Sequence, residues 1–165
     1  MGLSAEKNNA IHLKWLSKNY PKITNLTIKQ HSTLSFETAS FLRSFKKLNY
    51  LDLQCLHEYT EDFWDCLPKE IDFLQTDDCS PNLDLPKLTE LRINRCRVES
   101  DLFDSLKTPR LERVYFWRVD LQPGSLKPLK QQKSLKELNL HNTKYQDSDI
   151  ESIRDLEYLS IFCQL

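Results

Sequence analysis

One apolar triplet recurs seven times along this chain: an aliphatic residue, two variable positions, a second aliphatic residue, one variable position and a third. The clearest copies are Leu48, Leu51, Leu53; Leu88, Leu91, Ile93; Leu111, Val114, Phe116; Leu135, Leu138, Leu140; and Leu156, Leu159, Ile161. Ile23, Leu26, Ile28 and Ile71, Leu74, Thr76 are weaker copies, the last with a hydroxyl where a core wants a branched carbon chain. The copies start at 23, 48, 71, 88, 111, 135 and 156, an irregular step that leaves room for one short strand and one connecting segment per unit. A unit this small cannot bury its apolar edge alone, so stability must come from stacking on its neighbours. The 165 residues, 28 of them leucine, suffice for one compact domain or roughly five to seven such units.

Composition removes several function classes. With Gly2 and Gly124 as the two glycines, no glycine-rich phosphate loop of the GxGxxG or GxxxxGK[ST] type can be written. A net charge of −1 speaks against a nucleic-acid module, whose phosphate affinity needs an excess of Lys and Arg. Glu6, Lys7, Asn8, Asn9, His12 and Lys14 interrupt every candidate signal-peptide core, and no stretch has the apolar length of a membrane span. The five cysteines, Cys55, Cys66, Cys79, Cys96 and Cys163, are odd in number and lack CxxC spacing, which predicts neither a disulfide framework nor a zinc site. Together these features place the chain in the reducing cytoplasm, with secretion lacking a classical signal as the alternative. No cofactor or metal is expected.

The connecting segments read as helix or turn. Residues 36–47 place Phe36, Phe41 or Leu42, and Phe45 near one helical face; Phe63, Trp64 and Leu67 do the same over 61–67, and Leu102, Phe103 and Leu106 over 101–107. Pro123 and Pro128 favour an extended or 3₁₀ segment after the fifth triplet, and Ser148 with Glu151 is a candidate capping box before a helix carrying Ile150 and Ile153. A first helix over 5–19 would pack Ile11, Trp15, Leu16 and Tyr20 against the N-terminal end of the array.

Proline stands two residues before the first aliphatic position in Pro21-Lys22-Ile23, Pro86-Lys87-Leu88 and Pro109-Arg110-Leu111, and Cys79 and Cys96 lie eight residues after Ile71 and Leu88. On these residues the chain resembles the leucine-rich repeat family over nearly its whole length, and most resembles the cysteine-containing type found in F-box partner proteins and their bacterial relatives. His31, Leu56, Val119, Thr143 and Gln164 depart from the family's Asn or Cys at the corresponding positions, and residues 1–20 carry no visible F-box segment. The resemblance implies an α/β leucine-rich-repeat solenoid, or horseshoe: a parallel sheet on the concave face and helices or 3₁₀ segments on the convex face. It would be a single domain over 1–165 of about seven irregular repeats, with strands near 25–29, 50–54, 73–77, 90–94, 113–117, 137–141 and 158–162.

Side chains alternate along a strand, so the variable residues inside each triplet point out of the sheet. They include Tyr50, Phe73, Arg92, Arg113, Tyr115, Trp117, His141, Tyr158 and Phe162, with Arg95 and Arg118 immediately after two of the strands. Tyr, Trp and Arg dominate interface hot spots. These eleven residues form the candidate partner-binding face, centred on Tyr115 and Trp117; in the competing reading the aromatics merely stack on one another across the sheet.

Four weaker constellations read as surface features. They are the pair Cys55 and His57, the acidic Asp77, Asp78 and Asp84, the separate His31 and His141, and the lysine run Lys127, Lys130, Lys133, Lys136. The expected function is a non-enzymatic protein–protein interaction module that binds a protein or peptide, with no nucleic acid or membrane partner. The alternatives are the substrate-recruiting part of a ubiquitin ligase or bacterial effector whose catalytic part lies elsewhere, and an inhibitor or antidote of a partner enzyme. The final Phe162-Cys163-Gln164-Leu165 carries no polar capping unit, which predicts a truncated piece, an end closed by dimerisation or a small natural module.

Overall fold

The turn that opens all seven triplets leads directly into a strand in six of them. The backbone N–H of the first aliphatic residue donates to the carbonyl three residues earlier: Ile23 to Tyr20 (3.2 Å), Leu48 to Phe45 (3.1 Å), Ile71 to Pro68 (3.3 Å), Leu88 to Leu85 (3.1 Å), Leu111 to Thr108 (3.0 Å) and Leu135 to Gln132 (3.0 Å). Pro21, Pro86 and Pro109 directly follow the acceptor in three of these turns, where a ring-locked φ pre-sets the bend. The computed structural model describes residues 2–6, 9–30, 40–55, 61–77, 83–98, 102–104 and 106–164.

Two residues after each of these six turns a strand begins. In chain order the strands are β1 (Gly2–Glu6), β2 (Asn25–Gln30), β3 (Tyr50–Cys55), β4 (Phe73–Thr76), β5 (Glu90–Asn94), β6 (Arg97–Val98), β7 (Arg113–Trp117), β8 (Asp120–Leu121), β9 (Glu137–His141) and β10 (Ser160–Gln164). Helix α1 (Asn9–Asn19) follows β1 and helix α2 (Asp147–Ile153) precedes β10; 3₁₀ segments occupy Glu61–Cys66 and Lys127–Gln131. Eight strands form one parallel sheet in the order β1-β2-β3-β4-β5-β7-β9-β10, while β6 and β8 make a separate two-stranded parallel ladder. The fold is α/β, built on that parallel sheet.

A row of backbone bonds fixes the frame at the strand entrances. The Thr24 carbonyl accepts the N–H groups of Asn49 and Tyr50 (both 3.0 Å), the Asn49 carbonyl those of Asp72 and Phe73 (2.9 and 3.0 Å), and the Asp72 carbonyl those of Thr89 and Glu90 (2.8 and 3.1 Å). Thr89 repeats the arrangement for Glu112 and Arg113, and Glu112 for Lys136 and Glu137. With the frame held, Leu26, Leu51, Leu74, Leu91, Val114 and Leu138 sit in successive register and are fully buried. Thr76, Ile93, Phe116 and Leu140 form a second buried row, the Thr76 hydroxyl included. Each aliphatic member contributes ~1.5–3 kcal/mol by leaving water. The connectors complete the core with Phe45, Phe63, Trp64, Leu85, Phe103, Leu126 and Leu129, and Phe103 reaches the sheet edge-on at Phe116, ring centroids 6.0 Å apart.

Several expectations need correction. The first segment is not helical from residue 5: Ala5 and Glu6 belong to β1, paired with Ile28 and Lys29, because the open edge of β2 offers backbone partners to a short strand. Helix α1 buries Leu13 and Leu16, whereas Trp15 is 55% exposed and packs on Tyr20 outside the core (5.6 Å). The last strand starts at Ser160 rather than 158. Two successive turns, Leu156 to Ile153 (3.1 Å) and Leu159 to Leu156 (3.3 Å), carry the chain onward, so Ile161 pairs with Leu138 and Cys163 with Leu140. The helix cap also moves. Asp149, not Ser148, is the capping side chain of α2: its Oδ2 accepts the Gln146 N–H (3.2 Å) and its Oδ1 the Gly124 N–H (2.7 Å).

Cys96, half-buried against the core, is disulfide-bonded, while Cys66 and Cys163 are free thiols. The expectation of no disulfide fails there, since pairing depends on proximity in the fold rather than on spacing, and one ground for a reducing compartment goes with it. Among the described residues no helix is long and apolar enough to cross a membrane. His31, Phe36, Leu56, His57, Asp78 and Cys79 lie outside the described residues.

Leu138 lies between Val114 and Ile161 in the first buried row. Leu138→Ala should cost ~2–5 kcal/mol, and Leu138→Asp, which drives an unpaired charge into that row, should abolish the cooperative thermal transition measured by circular dichroism. A normal transition in the Asp variant would show that the row is not packed.

Candidate functional site

The same register that buries one side of the sheet arrays the intervening residues on the other. At the strand entrances the row reads Asn25, Tyr50, Phe73, Glu90, Arg113, Glu137; one step on it reads Thr27, Asp52, Gln75, Arg92, Tyr115, Asn139, Phe162; nearer the strand ends Asn94, Trp117 and His141 are neighbours. These positions are mostly half-buried, because side chains of adjacent strands lean on one another.

Glu90 organises the middle of this face. It is 9% exposed; its Oε1 accepts Arg92 Nε (2.7 Å) and its Oε2 accepts Arg113 Nε (2.8 Å). So held, the Arg92 guanidinium lies over Phe73 (5.1 Å to the ring centroid) and Tyr115 (4.8 Å), and Phe73 in turn stacks on Tyr50 at 4.2 Å with rings 5° from parallel. Tyr50, Phe73, Arg92, Tyr115 and Arg113 are therefore one cross-strand cluster around a single carboxylate. Burial pushes the Tyr115 hydroxyl pKa up, with the Glu137 carboxylate beside it adding to the shift. Burial and then the Asp52 carboxylate act on Tyr50 in the same direction.

Trp117 is engaged separately. Arg95 and Arg118 place guanidiniums over its ring at 4.6 and 4.7 Å. Both arginines have left-handed backbones, φ 56°, in the residue that follows a strand; Asn142, which follows β9, has φ 50°. For an arginine this conformation costs about 1–2 kcal/mol, whereas asparagine tolerates it. Its hydrogen bonds fix the arrangement, Arg95 N donating to Trp117 O (2.8 Å) and Arg118 N to His141 O (3.0 Å).

Arg92, Arg95, Tyr115, Trp117 and His141 line one groove of about 760 Å³. Its wall also includes Lys29, Gln54, Gln75, Asp77, Asn94 and Asn139. The expected centre at Tyr115 and Trp117 is in the wall, but the groove runs from there toward β2 and β3, not toward β10. Tyr158, 72% exposed, falls in the turn before β10, and Phe162, 52% exposed on β10, is likewise outside the lining. Arg118 touches Trp117 from beyond the lining, and Tyr50, Phe73 and Arg113 adjoin it through Arg92 and Glu90. The mutual stacking given as the competing reading is thus present at Tyr50 and Phe73.

Asp52 is another outward residue, and nothing in its sequence neighbours distinguishes it. It is 6% exposed; Oδ2 accepts Gln54 Nε2 (2.9 Å), and Oδ1 has no hydrogen-bond partner among the described residues. Burial holds its carboxyl above the usual carboxylate range, against the opposing Gln54 bond and the charges of Lys29 and Arg92. No group of three or more metal-ligating side chains occurs among the described residues. The exposed lysine run is dispersed, Lys130 pairing with Asp155 (3.1 Å) and Lys136 with Glu112 (3.2 Å). The chain matches no protein-family model and no curated protein.

Because the folded state disfavours ionised Asp52, this residue lowers stability as pH rises from the ordinary carboxylate range through its raised one, and its full cost is present at neutral pH. Asp52→Asn should therefore raise stability at pH 7 by about 1 kcal/mol, or ~2–4 °C in the thermal midpoint, with the gain shrinking toward pH 3. Midpoints measured across that range check it; a gain independent of pH would contradict the assignment.

Proposed function

We propose that this chain is a leucine-rich-repeat solenoid of the cysteine-containing type, without catalytic activity of its own, whose concave sheet face binds a partner protein. The carrying observation is the groove: one face of the parallel sheet gathers Arg92, Arg95, Tyr115, Trp117 and His141 around about 760 Å³. Tyr115 and Trp117 combine large contact area with few rotatable bonds, and Arg92 is already held in place by Glu90, Phe73 and Tyr115, so little ordering entropy is lost on docking at these residues. The recurring entry turn and the carbonyl row support the repeat reading, since each unit meets the next through the same bonds.

The test is capture of a partner from native extract by in-cell crosslinking and mass spectrometry, with Tyr115→Ala/Trp117→Ala as the probe. The variant should lose the partner while its thermal midpoint drops by only a few degrees, because it forfeits ring contacts worth about 0.5–1 kcal/mol each and no buried aliphatic residue. Undiminished capture would move binding away from this face; collapse of the fold would show that these rings belong to the core.

A further inference from the structure

We infer that the Arg95–Trp117–Arg118 cluster is the docking point for an acidic stretch of the partner, one that presents two carboxylates within a short extended segment. This rests on the reading of the sheet face as a protein-binding surface and specifies the chemistry it recognises.

The arginines of this face differ in what occupies them. Arg92 and Arg113 are held by Glu90. Arg95 and Arg118 have ring contacts with Trp117 and, among the described residues, no carboxylate partner. Lying over a ring uses the flat face of a guanidinium and leaves its in-plane N–H edge for a carboxylate, which it can grip with two parallel bonds. The indole thus sets two such edges in place before any ligand arrives. Both guanidinium carbons are within 5 Å of the same ring centroid. Carboxylates at alternate positions of an extended segment, spaced ~7 Å, match that reach.

Backbone conformation points the same way. The three positions after β5, β7 and β9 all adopt positive φ, and the third carries Asn142, which suits it. The two that carry the unfavourable arginine are those whose guanidiniums cover Trp117. An arginine in this conformation at both positions costs folding energy that an asparagine would not, which fits side chains that act on a ligand rather than in the core. The charge around it agrees: with Arg92 held by Glu90, the groove wall still sets Lys29 and Arg95 against Asp77, a local positive excess within a chain of net charge −1. A single-stranded nucleic acid would need the indole face for base stacking, and guanidiniums already lie over it.

Fluorescence anisotropy with the whole chain tests this, using a labelled octapeptide of alternating Glu and Ser, the same peptide with Gln for Glu, and an eight-nucleotide oligo-dT. The Glu peptide should bind saturably and weaken with added salt. Arg95→Asn and Arg118→Asn should each cost about 10-fold in affinity, the scale of one charge-assisted contact, while the thermal midpoint holds or rises because asparagine accepts the backbone. Lys130→Gln, remote from the groove, should leave affinity unchanged. Equal binding of the Gln peptide, tighter binding of oligo-dT, or arginine variants with unchanged affinity each overturn the proposal. If the Glu peptide fails to bind while Tyr115→Ala/Trp117→Ala still loses its captured protein, acid recognition is wrong and the protein-binding face survives; if that capture is also unaffected, both readings fall.

Discussion

The buried strand residues of this molecule lie beside apolar residues of the adjoining strands. Leu91 lies between Leu74 of the preceding unit and Val114 of the next, and the same holds from Leu51 to Leu138. The energy of the fold is therefore carried between units, and the frame for it is the row of carbonyls from Thr24 to Glu112, each accepting two N–H groups from the following strand entrance. Parallel strands are slow to pair and need long crossovers, and here each crossover doubles as the second wall of the core. Phe45, Phe63, Phe103 and Leu129 all come from those crossovers.

The opposite face inherits its order from that frame. Glu90 faces outward by alternation, yet it is nearly as buried as the core, because Arg92 and Arg113 close over it from two strands. Asp52 is buried comparably, and among the described residues no such cation bonds to it and one of its oxygens has no partner. Two carboxylates on one surface thus have opposite consequences: one assembles a cluster of rings and guanidiniums, and the other weakens the fold at neutral pH.

Most of the sheet could be read from the triplets, since a period-two apolar pattern at a repeating step specifies both which side faces the core and which strands adjoin. What escaped was whatever depended on neighbours rather than on pattern. Gly2–Glu6 carries too few apolar residues to announce a strand, and it forms one beside β2. Leu156, Leu159 and Ile161 satisfy the triplet as well as any other copy, but β10 has a pairing partner on one side only among the described residues, and its register settles two residues later. Asp149 as a cap and Cys96 in a disulfide each required knowing what lies opposite in space. The candidate face was legible in its composition, while its extent was not: Lys29, Gln54 and Gln75 are ordinary polar letters until the register sets them beside Arg92 and Tyr115.

That two-residue offset of β10 has a consequence for how such a chain tolerates change. A shift by an even number keeps Ile161 inward and Phe162 outward, so lengthening the 154–159 connection by two would reposition the last rung without turning it over. Insertion of a single residue would exchange the two sides. Length variation between rungs is in this way filtered by parity, and connectors as unequal as those here can coexist with a sheet whose two surfaces never trade places.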